Sequence, residues 1–339
     1  MHGSGLDRGA GRIPCEVCGH FRLGKQTTHS LASGDAGRLG VRMKAIIFDV
    51  MLDKPGDEIN ISPFSDIHFD SPECDIKKFH KVAKARSTLQ NSVFIAPGDV
   101  FNAVLPGDLK RYQPTCLKPG TYTADNLLDH MVDEAVSDLG GYPWAVICQG
   151  NHEHSVEKNH YVNLTGNLAK RLTIPSFLKN VEGSRSVVDG GYSGFIRLRL
   201  WSKERAKSRR NGPRCSIDLA YHHGAWGGQG GGIIGARRWA TTMQGCRIYL
   251  FGHNHRTIID PFETMHVNQP GRIISESAYL VMCGTYLNTF GTGKTTYSEK
   301  GGFAPIVTGT PLITLRADNS RENGMQGGTK VLVSITVGD

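Results

Sequence analysis

Short apolar runs that end abruptly in polar residues mark the central part of the sequence. Five such runs, each followed at once by His, Asp or Asn, lie at residues 60–65, 92–97, 144–150, 217–221 and 247–251. The runs are rich in β-prone residues, and glycine often stands where the backbone must turn tightly. The pattern predicts buried strands that carry polar side chains to one edge of a sheet, where the ligands of α/β proteins collect.

Helical and further strand patterns fill the intervals between these runs and follow them. Apolar residues recur at helical spacing in 75–90, 127–139 and 157–172, although Asn and Gly interrupt the third stretch. Strand patterns are found at 194–201, 278–283, 311–316 and 330–337, and the first of these alternates apolar and basic residues as an antiparallel strand would. We therefore expect an α/β fold of two mixed sheets flanked by helices, without internal repeats.

The first 42 residues differ from the rest of the chain. They are rich in Gly, Arg, Ser and His and show no sustained apolar period, which predicts a disordered or non-native extension. A single domain is predicted over residues 43–339. Cys15, Cys18, His20 and His29 offer the ligands of a small zinc knuckle, but no strand or helix pattern flanks them. A disordered tail is therefore the favoured interpretation.

Composition places the remainder among soluble globular proteins. No apolar run approaches the roughly 18–20 residues that span a bilayer, and no secretion signal is recognisable, so the prediction is a cytoplasmic protein without membrane contact. The eight cysteines are scattered, which favours reduced thiols over disulfides. The formal charge of +8 favours polyanionic partners. The basic stretch 203–214 could contact phosphates, or it could be a solvated turn.

The polar residues that follow the five runs have the chemistry of metal ligands. The candidates are Asp66, His68, Asp99, Asn151, His253, His255 and one of His222 and His223. Nitrogen and hard oxygen donors without thiolate suit Mn²⁺, Fe, Zn²⁺ or Mg²⁺. Seven donors are too many for one ordinary ion and suit a pair about 3.5–4 Å apart, bridged by a carboxylate and a water whose pKa falls to roughly 7. Such a pair would also neutralise charge on a phosphate under attack.

The same residues resemble the five motifs of the calcineurin-like metallophosphoesterases, in type and in order. The motifs are Asp66-x-His68, Gly98-Asp99, Gly150-Asn151-His152-Glu153, the histidine at 222/223 and Gly252-His253-x-His255. They cover residues 61–255. The resemblance implies a four-layer α/β/β/α sandwich and a hydrolase whose metal-bridging hydroxide attacks phosphorus in line.

The resemblance also implies a role for each motif residue. Asp66, His68 and His255 would hold the first ion, Asp99 would bridge, and Asn151, His253 and a histidine at 222/223 would hold the second. His222 is favoured over His223, because family members with two adjacent polar residues at this strand end usually ligate through the first. Mn²⁺ is the first choice of metal.

His152 is expected not to ligate but to bind the phosphate and protonate the leaving oxygen, so that His152 and Asp99 are the catalytic residues. Glu153 is expected to orient the loop, and His154 to face solvent.

The substrate is predicted less directly. Gly98-Asp99-Val100-Phe101 is similar to the form found in SbcD-type nucleases, and together with the basic charge it favours a phosphodiesterase acting on DNA, RNA or a nucleotide. Phosphate contacts are expected from Asn151 and His152, with Arg237 and Arg238 as clamps. The alternatives are a phosphomonoesterase, including a protein Ser/Thr phosphatase, and a non-catalytic scaffold. Scaffold members typically lack the histidine at the position of His152.

Two loops are expected to border the site. Residues 101–120 are predicted to form one wall of the substrate groove. Residues 227–235 are glycine-rich, but no strand–GxGxxG–helix context surrounds them, so a dinucleotide site is rejected and a flexible lip over the metals is predicted.

Overall fold

Two mixed β-sheets packed against each other form the centre of the fold. The structure is a computed structural model that describes residues 43–54, 56–108, 112, 126–202, 215–226, 231–267, 270–290, 299, 302, 304–318 and 330–337. The predicted extension 1–42 with its candidate zinc knuckle, the basic stretch 203–214, most of the predicted loop beyond residue 108 and residues 227–230 lie outside the described residues. Predictions for these segments therefore stay predictions.

Thirteen strands are found in the described part of the chain. The seven-stranded sheet contains β1 (Lys44–Leu52), β5 (Leu178–Asn180), β7 (Ser193–Ser202), β8 (Cys215–His222), β9 (Ile248–Phe251), β10 (Thr257–Val267) and β11 (Ile273–Cys283), in the order β10-β11-β9-β8-β7-β1-β5. The six-stranded sheet contains β2 (Glu58–Pro63), β3 (Ser92–Ala96), β4 (Trp144–Cys148), β6 (Val188–Gly191), β12 (Pro311–Asp318) and β13 (Lys330–Val337), in the order β13-β12-β2-β3-β4-β6. Both sheets mix parallel and antiparallel pairs.

Helices cover the outer faces of both sheets. They are α1 (Ile76–Ser87), α2 (Leu127–Leu139), α3 (Asn151–His160), α4 (Leu164–Arg171) and α5 (Gly231–Thr242). Contacts join α1 to β3, α4 to β4 and β6, and α5 to β11. The layers are therefore helix, sheet, sheet and helix, which confirms the predicted sandwich. No described helix is long and apolar enough to cross a bilayer.

Side-chain alternation explains how one strand serves two layers. On β9, Ile248 and Leu250 point into the main core, which both sheets share. Tyr249 and Phe251 point into a second core under α5. Successive residues of a strand face opposite sides of the sheet, so a continuous apolar run is what a strand buried on both faces requires.

The predicted helix at 157–172 is wrong in its boundaries. The structure has two helices instead, because Tyr161 adopts the left-handed conformation at the end of α3, with φ of 58°, and the Asn163 side chain caps α4 by accepting from the Gly166 N–H. The helix α3 begins at Asn151, inside the third motif. This start places motif residues on the first turn of a helix.

The described part of the glycine-rich stretch 227–235 does not form the predicted flexible lip. Residues 231–235 form the beginning of α5 rather than a loop. A Cβ atom at Gly232 would lie 2.1 Å from Asn254 Nδ2, and one at Gly235 would lie 2.3 Å from the indole of Trp226. These glycines allow the helix to approach its neighbours closely.

The described cysteines carry free thiols. Cys148, Cys246 and Cys283 are buried, and Cys74 and Cys215 are half-buried. The prediction of reduced thiols is therefore confirmed for these five residues, since buried free cysteine behaves as a small apolar side chain.

Candidate metal centre

The five motifs meet because five strands end at the same place. In the six-stranded sheet, β2, β3 and β4 are parallel neighbours, so the first three motifs leave their carboxyl ends side by side. In the other sheet, β8 and β9 are parallel neighbours and deliver the last two motifs. Backbone bonds join the loops: Asp66 N–H donates to Gly98 O at 3.0 Å, and His253 N–H donates to the Asp66 carboxylate at 3.0 Å.

Asp66, His68 and His255 form a first trio of ligand atoms. His255 Nε2 lies 3.3 Å from Asp66 Oδ1 and 3.4 Å from His68 Nε2. Asp66 and His68 are buried, and His255 is half-buried. The structure thus brings together the three residues predicted for the first ion.

A second trio consists of Asp99, His223 and His253, with Asn151 among them. His223 Nε2 lies 3.0 Å from Asp99 Oδ2 and 3.0 Å from Asn151 Oδ1, and His253 Nδ1 lies 2.8 Å from the same amide oxygen. The carboxylate of Asp99 is also grouped with His68 of the first trio. Asp99 therefore stands between the two trios, where the bridging role was predicted.

The preference for His222 over His223 is wrong in this structure. His222 Nδ1 accepts a hydrogen bond from the Gly224 N–H at 2.7 Å, and its ring stacks on Trp226 with centroids 5.4 Å apart. His222 is the last residue of β8 and faces the α5 layer, whereas His223 lies just beyond the strand and is fully buried against Asp99. Burial lowers the pKa of His222 to about 4.

His152 lies on the first turn of α3 beside both trios. Its Nδ1 is hydrogen-bonded to the Asn102 carbonyl, which acts as the acceptor, and its Nε2 lies 4.0 Å from Asp99 Oδ2. The His152 backbone N–H donates to Asp99 Oδ1 at 3.0 Å. By distance alone His152 could join His68 and Asp99 as a ligand. The Asn102 bond leaves Nε2 as the nitrogen that faces the site.

The ligand residues adopt an unusual backbone conformation. Asp66, His68, Asp99, His253 and His255 have φ between 49° and 68°. Side-chain-bearing residues rarely occupy this left-handed region. Each such residue costs about 1–3 kcal/mol, and these conformations cluster at functional sites, where the surrounding structure holds them. The strain is concentrated where the five strand ends meet.

At two motif positions only glycine fits, because neighbouring atoms occupy the space that a Cβ atom would need. A Cβ atom at Gly98, where φ is 129°, would lie 2.4 Å from His223 Nδ1. A Cβ atom at Gly150 would lie 2.0 Å from Asp99 Oδ1 and 2.4 Å from the Asp99 backbone nitrogen. Real Cβ atoms do not approach so closely. Any side chain at either position would displace a ligand.

Glu153 braces two motif loops, in agreement with its predicted orienting role. Its buried carboxylate accepts from the backbone N–H groups of Gly150 at 2.8 Å, Asp99 at 3.2 Å and Phe101 at 2.9 Å. Burial, reinforced by the charge of Asp99, raises the pKa of Glu153 to about 8. The bond to Gly150 also satisfies the N-cap of α3, as in a capping box.

The protonation states of the site follow from burial and charge. Burial, with the charge of His152, lowers the pKa of His68 to about 3, so this imidazole is neutral. Burial raises the pKa of Asp99, but the charges of His223 and His152 outweigh it and hold the pKa well below its usual range. Burial lowers the pKa of His223, yet Asp99 raises it to about 9. Without metal, Asp99 and His223 therefore form an ion pair.

The donor set fits divalent metal ions. Asp66 and Asp99 are fully buried, and within the described ranges their side chains form ion pairs with histidines only. Two buried carboxylates call for compensating positive charge. Ligands on one ion with bonds of about 2.1 Å lie roughly 3.0–3.4 Å apart. The distances from His255 to Asp66 and His68, 3.3 and 3.4 Å, and from His223 to Asp99 and Asn151, 3.0 Å each, fall in this range. Asp66, His68 and His255 would hold one ion, and Asp99, Asn151, His223 and His253 the other.

Comparison with known proteins agrees with this geometry. The sequence model of the calcineurin-like phosphoesterase family matches residues 63–257, more than half of the chain. The chain belongs to this family. As a calcineurin-like phosphoesterase it is, in general class, a metal-dependent phosphoester hydrolase, and the family uses divalent metal ions.

Other comparisons add little. The crystal structure of Chaetomium thermophilum Vps29 is similar over 82% of this chain and 97% of that chain, with 12% identity and a TM-score of 0.31. A search of curated proteins finds no significant match.

The two predicted arginine clamps of this phosphoesterase are placed differently. Arg237 is engaged elsewhere, because its Nε donates to Asp260 Oδ2 at 2.9 Å and its guanidinium lies 4.8 Å from the Phe262 ring. The prediction of a phosphate clamp at Arg237 is therefore not supported. Arg238 lines a pocket of about 400 Å³ with Trp226, Ile234, Gly235, Trp239 and Thr242.

Sequence patterns missed residues that support the motif loops. Thr285 lies outside the matched segment, yet its buried hydroxyl donates to the Asp66 carbonyl at 2.7 Å. Asp70 is buried, and its carboxylate accepts from the backbone N–H groups of Asn102 and Ala103. Asp70 follows His68 by only two residues, which was the one available signal. The sequence does not distinguish a buried acceptor at this position from a solvated carboxylate.

Proposed function

We propose that this phosphoesterase is a dinuclear enzyme that cleaves phosphodiesters of nucleic acids or nucleotides, with Mn²⁺ as its preferred metal. The observation that carries the dinuclear proposal is the meeting of two ligand trios at Asp99. His68 belongs to one trio and His223 to the other, and both are grouped with the same carboxylate. Donors to two ions converge there, and a phosphate bound between them would have its charge neutralised on both sides.

In the proposed reaction, the metal ions and the residues Asn151 and His152 have separate roles. When bound, the two cations supply an activated water nucleophile and stabilise the developing charge on the phosphate. Asn151 presents its amide oxygen from the first turn of α3 to His223 and His253. His152 follows it on the same turn, so a phosphate at the metals would lie within reach of its imidazole. This neighbourhood supports phosphate contacts from Asn151 and His152.

The general acid in this proposal is His152. The Nδ1–H donates to the Asn102 carbonyl, and this bond fixes the ring so that Nε2 faces the ligands. A proton on Nε2 is then available to the leaving oxygen as its bond to phosphorus breaks. Such proton transfer contributes about 10²–10⁴-fold to rate. The presence of this histidine is the feature that favours an enzyme over a scaffold.

The pocket lined by Arg238 supports a nucleotide-like diester as the substrate, because two of its aromatic residues contact His222. Trp226 stacks on His222, the neighbour of His223, and Trp239 contacts the same imidazole with centroids 5.3 Å apart. Aromatic walls and the cationic Arg238 suit a nucleobase with its adjoining phosphate. The formal charge of +8 would steer polyanionic substrates towards the protein.

A substrate screen on Mn²⁺-reconstituted protein tests the proposal. It compares bis(p-nitrophenyl) phosphate with p-nitrophenyl phosphate and single-stranded DNA, each with an EDTA control. EDTA-sensitive cleavage of the diester and of DNA is the expected result. Preference for the monoester would contradict the proposal and indicate a phosphatase. Absence of turnover with Mn²⁺, Fe²⁺, Zn²⁺ and Mg²⁺ would contradict it and indicate a non-catalytic scaffold.

A matched pair of variants tests the pocket. Arg238→Ala should raise KM for a dinucleotide about tenfold and leave kcat within twofold, because one charge-assisted contact to phosphate is lost. Arg237→Ala is the control, since this arginine is paired with Asp260, and its KM should stay unchanged. Equal KM values for Arg238→Ala and the unmodified protein would remove Arg238 from the substrate site.

A further inference from the structure

A buried carboxylate outside the five motifs lies behind the general-acid histidine. Asp70 is fully buried, and its two oxygens accept from two successive backbone groups. Oδ1 accepts from the Asn102 N–H, and Oδ2 accepts from the Ala103 N–H at 2.9 Å. The mechanism above does not use Asp70 directly.

The turn held by Asp70 carries the partner of His152. The carbonyl of Asn102 accepts the hydrogen bond from His152 Nδ1. One residue therefore joins Asp70 to the imidazole, because the Asn102 N–H points to Asp70 while the Asn102 carbonyl points to His152. A shift of this residue would be transmitted to the ring.

The turn needs external support because its backbone is strained. Ala103 has φ of 44°, in the region that side-chain-bearing residues rarely adopt. Glu153 holds the preceding part of the turn through the N–H groups of Asp99 and Phe101. Asp70 holds the following part. Two buried carboxylates thus accept from four backbone N–H groups within residues 99–103.

The side chain at position 70 must accept two hydrogen bonds. A carboxylate presents acceptor lone pairs on both oxygens, whereas an amide presents one oxygen and one NH₂ donor. Asparagine would therefore place a donor against a backbone N–H in a buried setting. No other common side chain of this size satisfies both groups.

We infer that Asp70 is a positioning residue for the general acid: by fixing Asn102, it holds His152 with Nδ1 occupied and Nε2 facing the metal ligands. The inference rests on the proposed role of His152 in phosphoester hydrolysis. It does not depend on whether the substrate is a monoester or a diester. It extends the working site to a residue that touches neither metal nor substrate.

The first test is the leaving-group dependence of Asp70→Asn. General-acid assistance matters little for a good leaving group such as 4-nitrophenol and strongly for a poor one such as phenol. Asp70→Asn should lower kcat about threefold for the nitrophenyl ester and about 100-fold for the phenyl ester, with KM and metal content unchanged. In a His152→Ala background, Asp70→Asn should cause no further loss, because the acid it positions is absent.

Asp189→Asn is the matched control. Asp189 also accepts two hydrogen bonds, from the Gly191 N–H at 2.9 Å and from Asn163 Nδ2 at 3.0 Å. It has no bond to His152 or to its turn. The variant should keep the leaving-group dependence of the unmodified protein. A steeper dependence in Asp189→Asn would show that the Asp70 effect is a general consequence of a lost carboxylate.

A second measurement does not require activity. Nitrogen-15 NMR of the metal-loaded protein should show His152 with a protonated Nδ1, assigned by comparison with His152→Ala, and this state should be lost or mixed in Asp70→Asn. If Asp70→Asn does not fold, Asp70→Glu keeps both acceptor oxygens but displaces them, and it should show the same change in weaker form.

The outcomes separate the two proposals. Turnover and NMR signals of Asp70 variants that match the unmodified protein would overturn the positioning role, whatever the substrate. A protein that hydrolyses no ester would overturn the proposed function, and the NMR comparison would still decide whether Asp70 orients His152.

Discussion

Adjacent residues can have opposite tasks, as His222 and His223 do. His223 is fully buried, with Nε2 between Asp99 and Asn151, whereas His222 packs against Trp226 and Trp239. The sequence analysis named the pair and favoured His222, whereas the structure groups His223 with Asp99, because the choice depends on where β8 ends relative to the site. At the residue scale, a shift of one position along the backbone separates a histidine that packs against aromatic rings from one that lies among the candidate metal ligands.

The pair gives the first prediction. His223→Ala should remove about one of two metal ions and lower activity more than 100-fold, since it deletes a ligand of the second ion. His222→Ala should keep both ions and lose about 1 kcal/mol of unfolding free energy through its aromatic contacts. Metal analysis and urea unfolding of both variants make the comparison. Loss of metal in His222→Ala with full metal in His223→Ala would reverse the assignment.

His152→Ala gives the second prediction. The variant should retain both ions, because His152 is not needed by either trio, and turnover should fall by about 10²–10⁴, the contribution of a positioned general acid. Steady-state rates and metal content are measured on the same preparation. Unchanged turnover would remove the acid role, and loss of an ion would make His152 a ligand.

The pH dependence of metal binding gives the third prediction. Burial lowers the pKa of His223, but Asp99 raises it to about 9 in the metal-free protein. A ligating imidazole must lose this proton, so below pH 9 the metal competes with it. Affinity for the second ion should therefore rise about tenfold per pH unit from 7 towards 9 and then level off. Calorimetry in two buffers of different ionisation enthalpy should show about one proton released, and an affinity independent of pH would contradict the assignment.

At the scale of elements, the site is a set of strand ends joined by strained turns. The strands β2, β3, β4, β8 and β9 were predicted from their apolar runs, because five short buried segments leave a clear signal. The start of α3 was not, since its first residues, Asn-His-Glu-His, are polar and show no helical period. In the structure, the helix starts where the Glu153 carboxylate accepts a hydrogen bond from the Gly150 N–H at the N-cap.

The junction between β4 and α3 gives the fourth prediction. Gly150→Ala would place Cβ 2.0 Å from Asp99 Oδ1, so it should lower the unfolding free energy by about 1–3 kcal/mol and abolish binding of at least one ion. Gly141→Ala is the control, because a Cβ atom there meets nothing within 4 Å. Its stability should stay within about 0.5 kcal/mol of the original. A metal-replete Gly150→Ala protein would show that the close approach is not required.

At the scale of the whole molecule, the candidate centre joins the two halves of the sandwich. Asp66, Asp99 and Asn151 follow strands of the six-stranded sheet, while His223, His253 and His255 follow strands of the other. Ions held by both groups would link the sheets directly. Binding at the native site but not to the unfolded chain would then stabilise the entire fold.

Metal linkage gives the fifth prediction. At a free Mn²⁺ concentration about 1,000 times the Kd, stabilisation should reach about 4 kcal/mol, which raises the unfolding temperature by several degrees. EDTA should reverse the shift, and Asp99→Asn should show little of it, because Asp99 belongs to the second trio and is also grouped with His68 of the first. Differential scanning calorimetry measures each case. An unfolding temperature insensitive to Mn²⁺ and EDTA would mean that the ions do not join the sheets.

The sequence by itself determined two mixed sheets flanked by helices, the five strand ends and the types of ligand they carry. These features are local: apolar runs specify buried strands, and the residues that follow each run are fixed by the order of the chain. It also determined the order of the motifs, on which the resemblance to the family depends.

The tertiary structure alone decided which groups face the same point. It selected His223 over His222, paired Arg237 with Asp260, and placed Asp70 behind His152 through Asn102. These relations join residues that are far apart in the sequence, and they depend on the facing of each strand and on turns held in left-handed conformations. Strand facing reverses with every residue, so an apolar pattern that tolerates a shift of one position cannot decide it.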